Sequence, residues 1–171
     1  MLADREDAYR LLAKLGASSR LLTHLKLVGE AADELIALYQ ELNVSFNAKL
    51  IGLGVAVHDA GKILHPNELD GPGSLHESSG KCLLLEHGVQ QEVAECCVTH
   101  AAWDGAAVSF EERSVALADK LWKGKRESEL ELAVIDALAD RLGVDRWILF
   151  SRVDEVFETI AAGGLSRLAR S

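Results

Sequence analysis

Residues 46–62 read FNAKLIGLGVAVHDAGK. The apolar part of this segment leads directly into the adjacent pair His58-Asp59. At helical spacing Ile51, Val55 and His58 lie on one stripe, and Asp59 is rotated from His58 by about 100°. An uncompensated imidazole and carboxylate would be costly to bury in such a helix. A metal ion reached by both side chains would provide the compensation. The segment therefore predicts a buried helix that carries part of a metal site.

The other candidate ligands are His24, His76, His100 and Asp119. His24 and His100 fall on the inward faces of apolar helices, and Asp119 lies within an apolar helical stripe. Taken singly, an inward histidine is more often a hydrogen-bonded core residue, and an inward aspartate is often a cap or an ion-pair partner. The complete ordered set favours ligands from separate helices that converge, as in metal sites inside helical bundles.

Hydrophobic periodicity and turn signals predict helices and no strands. The expected fold class is all-α, a single-domain helical bundle over residues 1–171. The predicted helices cover residues 4–14, about 18 to 41, 46–60, 74–88, 89–101, a segment starting near 111, 127–142 and 145–162. Residues 62–73 and 103–110 are predicted loops. Ser74 and Glu77 fit a capping box at the start of one helix, which favours a structural over a catalytic role for Glu77.

Composition places the chain among compact, cytoplasmic helical proteins. The chain has 171 residues, 49% of them hydrophobic, and only two prolines. An acidic start and the absence of an apolar run of about 20 residues argue against a signal peptide and a membrane helix. Cys82, Cys96 and Cys97 form no CxxC pair, which favours core thiols over a disulfide framework or a thiolate zinc site.

A net charge of −9 argues against a broad nucleic-acid-binding surface, because such surfaces depend on clustered Lys and Arg. A local exception follows Asp119, where Lys120, Lys123, Lys125 and Arg126 lie within seven residues. This basic run is either a solvated helix end, where cations complement the helix dipole, or a wall of a phosphate-binding site.

The order H…HD…H…H…D, with VHDAGK at 57–62 and LADKL at 117–121, resembles the HD superfamily of metal-dependent phosphohydrolases. The resemblance covers about residues 20 to 126, and the helices over 127–162 would complete an HD-type bundle. The strings HPNELDGPGSLHE at 65–77 and ALADKLWKGKR at 116–126 are similar to small stand-alone HD phosphohydrolases. They are also similar to the HD domain joined to polynucleotide kinases in bacterial end-healing enzymes.

The resemblance implies that His24, His58, Asp59 and Asp119 hold one divalent metal, and that His76 and His100 hold a second with Asp59 bridging. Manganese, nickel, cobalt, iron and zinc all suit imidazole and carboxylate ligands. The implied activity is hydrolysis of nucleotides or nucleic-acid ends, including 2',3'-cyclic phosphodiesters and phosphomonoesters, by a metal-bound hydroxide.

Asp59 and Lys62 are the expected catalytic residues, with Lys62 neutralising charge on the phosphoryl group. The alternative for Lys62 is a position at a solvated helix end without a catalytic role. Lys62, Lys120, Lys123 and Arg126 are the expected substrate contacts. Among the spare histidines, His65 is a possible substrate contact and His87 is expected at the surface.

The sequence departs from the motifs of several HD subfamilies, which narrows the expected substrate class. Residues 100–105, HAAWDG, begin like the motif of HD-GYP cyclic-dinucleotide phosphodiesterases but lack the Glu and the Gly-Tyr-Pro that follow it. The paired acids of alarmone hydrolases are also missing after His58-Asp59. Two alternatives stay open: an HD-type di-iron oxygenase, which uses the same ligand set, and a nucleotide-binding HD module without catalysis.

Overall fold

The structure, a computed structural model, describes residues 1–171 and consists of helices joined by short turns, without strands. The predicted all-α fold class is therefore confirmed. The α-helices are α1 (Arg5–Lys14), α2 (Ser19–Glu41), α3 (Ala48–Val57), α4 (Leu75–Glu86), α5 (Gln91–Thr99), α6 (Phe110–Leu121), α7 (Ser128–Leu142), α8 (Arg146–Ala162) and α9 (Gly164–Arg170). None of them has both the length and the apolar character needed to cross a membrane.

Helix α3 lies between the two apolar clusters of the bundle. Ile51 and Val55 pack into the larger cluster, which contains side chains of α2, α6, α7 and α8. Leu53 and Val57 pack into the smaller cluster with side chains of α1, α4 and α5. A helix that is apolar on all sides is stable only when it is buried on all sides. The two faces of α3 thus explain why its end, at His58 and Asp59, lies deep in the protein.

Most helix starts follow the sequence signals. The side chains of Ser18 and Asn47 each accept a hydrogen bond from a backbone N–H in the first turn of α2 and α3, respectively. Ser109 and Glu112 form a capping box at the start of α6, and Asp145 caps α8. These caps satisfy backbone donors that have no partner within the helix.

The capping box predicted at Ser74 and Glu77 is wrong. Helix α4 starts after Ser74, but the side chain of Ser74 accepts no capping hydrogen bond. Glu68 accepts hydrogen bonds from the backbone N–H groups of Leu75 and His76. The preceding turn brings this carboxylate to the helix N-terminus, where the helix dipole favours a negative charge. Glu77 therefore has no capping role.

Three further differences concern segments between and after the predicted helices. Helix α3 ends at Val57, earlier than residue 60, and the chain continues in a 3₁₀ turn over Ala60–Ile63. The predicted loop over 62–73 contains a second 3₁₀ turn, Pro66–Glu68. The last helix, α9, was not predicted.

A close approach of backbones places α4 against the turn after His58-Asp59. A Cβ atom added at Gly61 would lie 1.8 Å from the carbonyl oxygen of His76. A Cβ atom added at Gly80 would lie 2.7 Å from the backbone nitrogen of Gly61. Only glycine allows two backbones to come this close. Gly61 and Gly80 therefore fix the distance between His76 and the end of α3.

We expect Gly61→Ala to destabilise the fold by about 3 kcal/mol or more, because the clash is with backbone atoms that cannot rotate away. Urea denaturation followed by circular dichroism would measure the change in the free energy of unfolding. Gly52→Ala is the control, because its added Cβ meets only the flexible end of the Arg5 side chain, at 3.3 Å. Equal stability of the two variants would contradict the proposed close packing.

Candidate metal centre

Five helices bring the six predicted ligands together. The ligands come from α2 (His24), the end of α3 (His58 and Asp59), the first turn of α4 (His76), the end of α5 (His100) and the last turn of α6 (Asp119). They form two groups, each with ligand atoms within 4.8 Å of one another. The four-ligand group is His24, His58, Asp59 and Asp119, and the three-ligand group is Asp59, His76 and His100.

The Asp59 carboxylate belongs to both groups and divides its oxygens between them. Its Oδ2 lies 2.8 Å from His24 Nε2 and 3.5 Å from His58 Nε2. Its Oδ1 lies 3.4 Å from His76 Nε2 and 3.6 Å from His100 Nε2. A carboxylate in this position can serve as a ligand on both sides. The geometry therefore permits two ions that share Asp59.

Hydrogen bonds at Nδ1 determine which imidazole nitrogen faces the centre. His58 Nδ1 donates to the carbonyl oxygen of Val55 at 2.9 Å, and His100 Nδ1 donates to that of Cys96 at 3.0 Å. A carbonyl oxygen only accepts, so Nδ1 carries the proton in both rings. In the neutral form of each ring, the Nε2 lone pair would then point at carboxylate oxygens.

Lone pairs that face carboxylate oxygens require a positive charge between them. His58 Nε2 lies 3.2 Å from Asp119 Oδ1, and Asp59 Oδ1 is buried without a hydrogen-bond partner. A proton or a metal ion would satisfy these acceptors. Imidazole nitrogens and carboxylate oxygens are ligands for first-row divalent metals. The residues present therefore fit a metal centre.

The pKa shifts follow from burial and from charge within the cluster. Burial disfavours ionisation of Asp59, but the charge of His58 and hydrogen bonds from neighbouring imidazoles hold its pKa well below the usual range. Burial opposes protonation of His58, yet Asp59 and Asp119 outweigh this effect and raise its pKa. Burial and the nearby His58 lower the pKa of His100. Ionised carboxylates and a neutral His100 are the protonation states that bind metal.

Glu68 extends the cluster beyond the predicted ligands. Its Oε2 accepts hydrogen bonds from the backbone nitrogen of His76 at 3.0 Å and from His76 Nδ1 at 2.5 Å. Carboxylates that hold metal-binding histidines in this way orient the ring and select its tautomer. Glu68 was not predicted as part of the site, because nothing in its spacing distinguishes it from other loop acids.

A cavity of about 430 Å³ opens onto the centre. This volume is within the range of small-molecule binding sites. Lys62, Lys120 and Lys123 line it, and the Lys62 Nζ lies 2.8 Å from Asp59 Oδ2. Arg20 also lines the cavity but pairs with both oxygens of Asp70. Three of the predicted substrate contacts therefore face the cavity.

Arg126 does not line the cavity, unlike the other predicted substrate contacts. Its guanidinium forms ion pairs with Glu131, Asp154 and Glu158. Helix α6 ends at Leu121, and the chain beyond it turns toward the acidic side chains of α7 and α8. Three carboxylates around one guanidinium hold Arg126 in place by charge. The basic run thus divides between the cavity and a structural ion-pair cluster.

Helix α9, which was not predicted from the sequence, provides a wall of the cavity. Leu168 lines the cavity. Arg167 pairs with Glu34 at 2.8 Å and Arg170 pairs with Glu30 at 2.8 Å, which fixes α9 to α2. A signal for this contact was present in the sequence. The two arginines are three residues apart and the two glutamates four, so each pair lies on one face of its helix.

Three other residues from the sequence analysis are placed by the structure. Glu77 lines the cavity, and its side chain is half-buried. His65 is half-buried and does not line the cavity. His87 is exposed, as expected, and its Nδ1 donates to the carbonyl oxygen of Leu83.

Comparison with protein-family models found no match, and neither curated proteins nor solved structures gave a match. The resemblance to the HD superfamily therefore rests on the sequence motifs alone.

We expect Co²⁺ to stabilise the folded protein, because the ligands converge only in the folded state. At 100 times the dissociation constant the gain in the free energy of unfolding is about 2.7 kcal/mol. Urea denaturation with Co²⁺ or with a chelator would measure this gain. Asp59→Ala should lose most of it, whereas Asp70→Ala, which removes a cavity carboxylate outside both ligand groups, should keep it. Equal gains in the two variants would argue against metal binding at Asp59.

Proposed function

We propose that this protein is a metal-dependent phosphoesterase of the HD type that acts on nucleotides or nucleic-acid ends. The observation that carries the proposal is the position of Asp59, whose two oxygens face two groups of histidines beside a lysine-lined cavity. Such a centre next to cationic side chains suits a substrate whose reacting group is a phosphate. The motif resemblance supports the same class of reaction.

In the proposed enzyme the four-ligand and three-ligand groups would each hold one divalent metal ion, and Asp59 belongs to both groups. Bound metals would polarise phosphoryl oxygens and lower the pKa of bound water. The chain contributes the ligand set, the hydrogen bonds that orient the imidazoles, and burial that limits competing water. His58 and Asp59 are buried, and the Asp59 side chain is only 3% exposed.

Lys62 is the cavity lysine that contacts Asp59. Its ammonium contacts Asp59 Oδ2 at 2.8 Å, and its side chain is 13% exposed while lining the cavity. A cation held in this position neutralises negative charge that develops on a phosphoryl group without having to move from solvent. We therefore assign Lys62 to charge stabilisation.

Lys120 and Lys123 are the proposed contacts for other anionic parts of the substrate. Both line the cavity, and neither forms an ion pair with a carboxylate. Arg20, in contrast, is already paired with Asp70. The chain as a whole carries a net charge of −9, so this local positive surface favours a small phosphorylated ligand or a strand end over a long duplex.

Glu77 is the cavity carboxylate available to a ligand. Asp59 and Asp119 contact histidines, and Asp70 is paired with Arg20. The Glu77 side chain makes neither a hydrogen bond nor an ion pair within the protein, and it follows His76 directly in α4. Its carboxylate can therefore contact a substrate group without breaking an existing interaction.

The test of the proposal is hydrolysis of 2',3'-cyclic, 2', 3' and 5' nucleotides with Mn²⁺, Ni²⁺, Co²⁺ or a chelator. We expect phosphate release or ring opening that requires metal and is abolished in Asp59→Ala, because that variant loses the shared ligand. Substantial turnover by Asp59→Ala, or turnover in chelator, would contradict the proposed site. No turnover together with iron in the purified protein and oxygen consumption would support the oxygenase alternative.

Lys62→Ala is expected to lower kcat by about 100-fold, the size of effect seen when one stabilising group at a developing charge is removed. Metal content should stay unchanged, because Lys62 is not in either ligand group. Steady-state kinetics and metal analysis would measure both. Lys125→Ala is the matched control, because Lys125 is exposed and lies outside the cavity. Loss of metal in Lys62→Ala would mean that this residue supports the ligands and not the reaction.

A further inference from the structure

We infer that Glu68 is a positioning residue that controls metal binding by the three-ligand group and leaves the four-ligand group unaffected. The inference rests on metal binding at the centre as proposed above. It adds a residue outside the predicted ligand set and assigns it to one of the two ions.

The need for Glu68 follows from the position of His76 in its helix. His58 and His100 direct Nδ1 to carbonyl oxygens three and four residues earlier in the chain, at Val55 and Cys96. His76 is the second residue of α4, so no helical turn precedes it to supply such a carbonyl. An acceptor for His76 Nδ1 must therefore come from outside the helix.

Glu68 supplies that acceptor and is itself firmly held. Its Oε2 accepts from both the backbone nitrogen and Nδ1 of His76, at 3.0 Å and 2.5 Å. Its Oε1 accepts from the backbone nitrogen of Leu75 at 3.1 Å. The Glu68 side chain is 8% exposed. These three hydrogen bonds restrain the orientation of the carboxylate. Through its bond to Nδ1, the carboxylate in turn orients the His76 ring.

The surrounding loop is shaped to admit this carboxylate. Gly73 has a φ of 149°, a conformation that favours glycine. A Cβ atom added at Gly73 would lie 2.4 Å from Glu68 Oε1. The loop before α4 can therefore close around Glu68 only with glycine at this position.

The effect of Glu68 is limited to one side of the centre. Its hydrogen bonds orient His76 Nε2 toward Asp59 Oδ1, on the side of His100. The three-ligand group has two histidines, so a disordered His76 leaves it with His100 and the shared carboxylate. The four-ligand group keeps His24, His58 and Asp119, none of which contacts Glu68.

The test is titration of the full chain with Co²⁺ alone, followed by isothermal calorimetry and by visible absorption, which reports the coordination of cobalt. The wild-type protein should bind two ions. Glu68→Ala removes both acceptor oxygens, so His76 Nδ1 and the backbone N–H groups of Leu75 and His76 all lose this partner. We expect the second ion to bind 10 to 100 times more weakly, the usual effect of losing such a partner, with the first ion unchanged.

Two further variants make the result specific. His76→Ala should lose the same ion that is weakened in Glu68→Ala. Glu86→Ala removes one exposed carboxylate from the far end of α4 and should bind both ions as the wild type does. Thermal unfolding of the metal-free variants would measure the separate loss of the helix cap.

Several outcomes would overturn the inference. These are one ion per wild-type chain, equal weakening of both ions in Glu68→Ala, or a loss of thermal stability in Glu68→Ala with both affinities intact. The last outcome would make Glu68 a helix cap only. Because Co²⁺ titration needs no substrate, absence of nucleotide hydrolysis would reject the proposed reaction without changing this result.

Discussion

The buried carboxylate of Asp59 is the constraint on which the rest of the site depends. Burial of an ion in a protein interior carries a penalty of several kcal/mol unless opposite charge and hydrogen bonds compensate it. Here the compensation comes from Lys62 and from imidazoles on α2, α3, α4 and α5. Each of these elements must therefore end or pass close to the same point, which explains why the helices converge on the end of α3.

Close packing makes that convergence possible. Gly54 lies against Val115 and Cys96, where an added Cβ atom would come within 3 Å of both side chains. Together with the contact of Gly61 and Gly80, this allows α3 to approach α4, α5 and α6 closely. Packing of this density transmits small changes in shape, because few voids exist to absorb them. Packing of the core therefore determines where the ligand side chains lie.

Helical periodicity was sufficient to predict several parts of the site. It placed His24, His100 and Asp119 on inward faces, and the apolar run before His58 identified the buried helix. These predictions worked because the inward face of a helix is set by local spacing. The expected activity came from the motif resemblance, and it stays a proposal in the absence of a matching relative.

The sequence by itself determined the helical fold class, most helix boundaries and the residue types able to bind metal, because each depends on short-range spacing. Only the tertiary structure decided which partners those residues meet. In the folded protein Arg126 forms ion pairs with three acids away from the cavity, and Glu68 accepts a hydrogen bond from His76 Nδ1. Leu168 of α9 lies at the cavity wall. Contacts between residues far apart in the chain depend on how helices pack, and a single sequence carries no local signal for that geometry.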